Sequence, residues 1–147
     1  MDGRLPLSVA GVKVRTMATR PTTHWRETIA TEAAEVAAGT TDVAILPDLF
    51  PEALLNDTDA VLAAFEVEVA ALTQPTDEAV LATVQHVVLA LNGVNEAHDE
   101  SAYETDERER LCLYIDEVLT EHGIDVAALA ERRGLTRYEI TDEWRDW

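Results

Sequence analysis

Thr76-Asp77-Glu78-Ala79-Val80-Leu81-Ala82-Thr83-Val84-Gln85-His86-Val87-Val88-Leu89-Ala90-Leu91-Asn92-Gly93-Val94 is the stretch from which the fold is read. Val80, Val84, Val87, Leu91 and Val94 recur at steps of three and four, which places them on one side of a helix, and Leu81 and Val88 widen that stripe. Thr76 is a good N-cap, and Asp77 and Glu78 lie in the first turn, where the helix dipole favours negative charge. A stripe this wide is the mark of a central helix.

Toward the C-terminus a polar connection, Glu96 to Glu104, leads to a second amphipathic stretch. There Thr105 is read as the cap, Leu111, Cys112, Ile115, Val118 and Leu119 point inward, and Gly123 ends the helix. Asp125 opens a shorter helix over Val126, Leu129 and Ala130 up to Gly134, and Thr141 is read as the cap of a last turn running into Glu143-Trp144-Arg145-Asp146-Trp147. Toward the N-terminus, Asp57 or Thr58 is expected to cap a helix reaching about Thr73. It buries Val61, Leu62, Phe65, Val69 and Leu72 and turns Asp59, Glu66 and Glu68 to water. Thr23 to about Ala38 is helical too, with Trp25, Ile29, Ala33 and Val36 at helical spacing and Gly39 as the stop.

Two short apolar runs break the helical pattern. Val9, Val12 and Val14 around Lys13 and Arg15, and Val43-Ala44-Ile45-Leu46 between Asp42 and Pro47, read as strands that can pair. The expected fold is therefore mainly α, an antiparallel helical bundle with a small two-stranded β element in residues 1–50. One domain over residues 1–147 is the expectation, with a helical core at 57–147 and residues 1–50 as a less regular extension.

The chain has 147 residues and is 47% hydrophobic, enough to bury a core despite a net charge of -18. No run approaches the ~18 apolar residues of a membrane helix, and the first residues lack an apolar signal core. With Cys112 as the single cysteine, internal disulfides are ruled out and a cytoplasmic location is expected. Flanked by Leu111, Leu113 and Ile115, Cys112 reads as a small buried hydrophobe. The charge is uneven: residues 1–40 hold five bases and four acids, a balance of +1, whereas residues 41–147 hold six bases and 25 acids, a balance of -19. That field repels nucleic acid and anionic membranes and attracts basic partners; it also serves solubility or a high-salt cytoplasm without any partner.

No catalytic motif stands out. His24, His86, His98 and His122 do not fall at the i, i+4 spacing of a helical zinc site, and Asp99 to Glu109 lacks the alternating oxygen ligands around a glycine that a calcium loop needs. No metal and no cofactor is expected. Glu32 and Glu35, one turn apart, can share a magnesium ion as in all-helical nucleotide pyrophosphatases, but Glu66 with Asp59 or Glu68 does not reproduce the spacing of the second, facing pair that such enzymes need; a carboxylate-dependent nucleotide hydrolase is kept as the alternative reading. Protein binding is favoured over catalysis. Trp144 and Trp147 beside Asp146 suit an interface anchor, in a partner complex or a helical oligomerisation module. The competing reading closes the end of the fold by packing them against Tyr138 and Ile140, and a packing role for at least one of the two is favoured.

The order Leu91-Asn92-Gly93-Val94-Asn95, Glu104-Thr105-Asp106-Glu107-Arg108-Glu109, Leu111-Cys112, Ile115-Asp116 and Glu143-Trp144-Arg145-Asp146-Trp147 resembles small acidic bacterial proteins of the immunity, or toxin-neutralising, type. The resemblance spans about residues 75–147. It implies a cytoplasmic inhibitor of a basic, co-encoded toxin such as a nuclease, with no enzymatic role. The residues expected to meet the partner are Asp99, Glu100, Glu104, Asp106, Glu107, Trp144, Asp146 and Trp147, with helix capping as the competing duty of Asp106 and Glu107.

Overall fold

The computed structural model describes residues 17–147, so the first expected strand, around Val9 to Arg15, lies outside the described residues. Six α-helices and a closing 3-10 turn make up the regular structure of that span: α1 (Pro21–Ala37), α2 (Leu46–Leu49), α3 (Glu52–Ala70), α4 (Asp77–Ala97), α5 (Thr105–Glu121), α6 (Val126–Arg132) and the turn Arg137–Glu139. The described chain is mainly helical and contains no strand. None of its helices is long and apolar enough to cross a membrane.

The valine stripe becomes α4 as expected. Thr76 Oγ1 accepts the Ala79 N–H at 3.1 Å, and Val84, Val88 and Leu91 are fully buried. Each such side chain contributes roughly 1.5–3 kcal/mol of apolar burial. Helix α3 packs antiparallel to α4: His86 Nδ1 meets Glu68 at 2.7 Å at one end of the pair, and His98 Nε2 meets Asp57 at 3.0 Å at the other. From α3 come Leu54, Leu55, Leu62, Phe65 and Val69, and from α5 Leu111, Tyr114, Ile115 and Leu119, all buried in the same core. Asp125 caps α6 through the Ala128 N–H at 3.0 Å, placing Leu129 and Ala130 over α5.

Several expectations are corrected. Val43 to Leu46 is not a strand. Val43 and Ile45 are 64% and 57% exposed, and α2 begins at Leu46 with Pro47 in its first turn. The Leu46 N–H is taken by the Glu32 carboxylate at 2.9 Å, where a sheet would have offered a neighbouring carbonyl. Four apolar residues ahead of a proline are as compatible with a helix entry as with a strand, since proline at the start of a helix costs no hydrogen bond. Helix α3 starts at Glu52, ahead of the expected caps; Thr58 is buried in mid-helix, its hydroxyl 2.6 Å from that of Tyr103. Glu104 rather than Thr105 precedes α5, its N–H donating to the Glu107 carboxylate at 2.9 Å. An additional 3-10 turn, Arg137–Glu139, follows Thr136, whose N–H donates to Glu139 at 2.7 Å; Thr141 lies within the turn after it, buried and with its hydroxyl 3.5 Å from Cys112 Sγ.

Candidate functional site

Two buried asparagines near the C-terminal end of α4 organise the candidate site. Asn95 Oδ1 accepts the Ala102 N–H at 3.0 Å, and its backbone carbonyl accepts the Glu100 N–H at 2.8 Å, so the turn after α4 is folded back onto the helix. Asn92 holds the C-terminal segment of the site. Its Nδ2 donates to the Trp144 carbonyl at 2.7 Å, and its Oδ1 accepts the Asp146 N–H at 3.0 Å. A side-chain amide bonded to backbone on both of its ends fixes a segment much as a neighbouring strand would. The connection at 99–104 and the segment 144–147 are thereby brought to the same end of α4.

Aromatic rings close the gap between them. Trp147 stands edge-on to Tyr103 at 5.5 Å; Tyr103 lies 6.4 Å from Trp25, which stacks on Phe50 at 5.6 Å. Burial pushes the Tyr103 phenol up to about 12, against a smaller opposing effect of its bond to Thr58. Trp147 is only 8% exposed and is covered by the Arg145 guanidinium, 5.4 Å from its ring, so its indole serves packing. Of the two expected neighbours, Ile140 is buried in the same core, whereas Tyr138 is 66% exposed and carries Arg137 over its ring. Trp144 is half-buried.

The expected acidic contacts separate into two groups. Asp106 is bonded to Arg110 at 2.9 Å, and Glu107 is engaged with the Glu104 N–H. Asp99, Glu100 and Asp146 are exposed and carry no ion pair among the described residues, and Glu104 is exposed beside them. Asp99 and Glu100 both hold left-handed backbone, with φ of 65° and 60°. Such a conformation costs an L-residue about 1–2 kcal/mol, so the two adjacent carboxylates are held outward at a conformational cost.

A polar cluster that the sequence did not reveal lies between α1, α3 and α5. Glu66, expected to face water, is 4% exposed. Arg20 clasps it with Nε and Nη2, both at 2.8 Å, and the Tyr114 hydroxyl donates to the same carboxylate. The phenol of Tyr114 is pushed up by burial and by Glu66, and the Arg20 guanidinium is raised by its bond to Glu66. Beside it Asp59 accepts from Thr22 and, at 2.7 Å, from Arg26. Buried carboxylates persist when paired in this way. Of the carboxylates in the magnesium reading, Glu32 is engaged on the Leu46 N–H, Asp59 and Glu66 on arginines and Glu68 on His86, while Glu35 is exposed. Among the described residues no three His, Cys, Asp or Glu side chains gather as metal ligands.

Of the eight arginines in the described span, Arg20, Arg26, Arg110, Arg132, Arg137 and Arg145 are ion-paired with carboxylates. Asp116, buried, takes Arg137 at 2.7 and 2.6 Å. Asp77 is held below the usual carboxylate range by Arg132. The Cys112 thiol is pushed up by burial, which disfavours the thiolate.

No model of a known protein family matches the chain, and no curated protein or solved structure does either.

Proposed function

We infer that the chain is an acidic binding protein of the immunity type, which neutralises a basic partner such as a nuclease toxin in the cytoplasm. One observation carries the reading: six of the eight described arginines are spent on internal ion pairs, while Asp99, Glu100 and Asp146 stand exposed and in no ion pair among the described residues, on segments that Asn95 and Asn92 pin to α4. A nuclease presents cations to the phosphate backbone, and an acidic surface that occupies them acts as a substrate mimic. Its long-range field also raises the rate of encounter. The rigid frame of Asn92, Asn95 and Tyr103 reduces the entropy that this surface loses on binding.

The test is calorimetry against any basic toxin domain whose coding sequence adjoins that of this chain, over a range of salt concentrations. The affinity is expected to fall steeply as salt rises, and Asp99→Asn with Glu100→Gln to lower it further by slowing association. An affinity indifferent to salt removes the electrostatic argument, and absence of binding sinks the proposal.

A further inference from the structure

We propose that a second contact surface, a groove between α4 and the 3-10 turn, takes a segment of a basic protein that presents one large apolar side chain flanked by arginine or lysine. This rests on the reading of the chain as a binder of basic proteins and names the segment that it would grip. The groove has a volume of about 300 Å³. Its apolar side is built from Leu81 and Ile140, both nearly buried, with the half-buried Trp144 and the 40% exposed Leu135. Its polar side holds the carboxylates of Glu139, Asp142 and Glu143 against the single guanidinium of Arg133.

These groups differ in what they have left to offer. Asp142 is shared with Arg145 at 2.8 Å, and Glu139, bonded to the Thr136 N–H, is held below the usual carboxylate range and so stays ionised. Glu143 is exposed and in no ion pair among the described residues. A purely basic, hydrophilic segment would leave Leu135 and the open part of Trp144 uncovered. A purely apolar one would desolvate three carboxylates without replacing their water. An apolar anchor with a cation beside it answers both demands, and a cation placed over the Trp144 ring gains further attraction. The Trp144 carbonyl accepts from Asn92, so the groove borders the C-terminal segment that Asn92 pins.

The experiment uses the full chain and two synthetic peptides with the same number of arginines, one with leucine between them and one with serine. Binding is measured by calorimetry at low salt, for the wild type and for Leu135→Ser, Glu143→Gln and the pair Asp99→Asn with Glu100→Gln; all four positions are exposed. The leucine peptide is expected to bind the wild type about ten-fold tighter, the order that burial of one large apolar side chain supplies. Leu135→Ser should remove that advantage and leave the serine peptide unchanged. Glu143→Gln should weaken both peptides, and the Asp99 and Glu100 changes should weaken both without altering their ratio. Equal binding of the two peptides to the wild type, or an advantage for leucine that survives Leu135→Ser, overturns the groove while the acidic surface stands. Failure of both peptides to bind overturns the groove and the binding reading together.

Discussion

Replacing Arg20 by methionine keeps most of the side chain's apolar stem and removes the guanidinium bonded to a buried carboxylate. Both bonds from Arg20 to Glu66 are 2.8 Å, and Glu66 is 4% exposed while the Arg20 side chain is 31% exposed. Removing one member of a buried pair costs about 3–5 kcal/mol, because the other charge is left without compensation. Water reaches the arginine side, so the lower end applies, about 3 kcal/mol. In a domain of this size that corresponds to a fall in Tm of about 6–12 °C. Glu66→Gln still offers an acceptor to the Tyr114 hydroxyl and leaves Arg20 free to lean on Asp59, 3.7 Å away, so its cost should be about 1–2 kcal/mol. The double variant should then cost about 2 kcal/mol, less than the sum of its parts, with a coupling energy of about 2 kcal/mol. Urea unfolding of the four proteins at neutral pH, followed by helical circular dichroism, measures all these terms. Additive losses, or a loss below about 1 kcal/mol for Arg20→Met alone, would refute the view that this pair anchors the start of α1.

Three further outcomes follow from individual groups. A phenol whose folded-state pKa lies above its unfolded value stabilises the fold fully below pH 10 and loses that contribution as pH rises through about 12; for Tyr103 the loss is roughly 2–3 kcal/mol. Phenolate absorbance should show its late ionisation, and Tyr103→Phe should flatten the alkaline fall in stability; an unchanged pH profile in that variant would assign the fall elsewhere. Gly123→Ala should destabilise by about 1 kcal/mol, because its φ of +87° suits glycine even though an added Cβ meets no atom within 4 Å. Gly93→Ala, inside α4 with equally open space, should stabilise by up to about 1 kcal/mol, and thermal melts that moved both variants in the same direction would contradict the backbone argument.

What could be read in advance divides by the distance over which each feature is determined. The stripe of α4, the Asp125 cap of α6 and the glycine stop at 123 are set by residues within a turn or two of one another, so periodicity and capping chemistry suffice to find them. Glu66 misled because its neighbours along α3 give no sign of Arg20, 46 positions earlier. Read alone, a carboxylate one position past Phe65 is placed in water. The pinning role of Asn92 and Asn95 did leave a signal: both lie beside Leu91 and Val94 on the buried side of the helix, where an amide needs partners. Local sequence allows Trp147 as either anchor or packing, and only the ring of Tyr103 decides between them, since that residue reaches the same place from a different connection.

The uneven charge also takes on a structural meaning. Arg20 and Arg26 belong to the near-neutral first 40 residues, and their partners, Glu66 and Asp59, belong to the acidic remainder. The cations of the first segment therefore fasten α1 to α3, and only part of the charge imbalance between the segments reaches the surface as a surplus. Solubility alone would be served by carboxylates anywhere on that surface, in relaxed backbone. Asp99 and Glu100 instead sit in left-handed conformations, fixed by the Asn95 carbonyl and next to a C-terminal segment fixed by Asn92. Relieving that strain by replacing both with glycine keeps the turn and deletes two charges, whereas Asn at both positions deletes the charges and tolerates the same backbone. If the surface works by charge, the two double variants should lose affinity for a basic partner equally. If the preorganised turn matters as well, the glycine pair should lose more, because it must be ordered on binding.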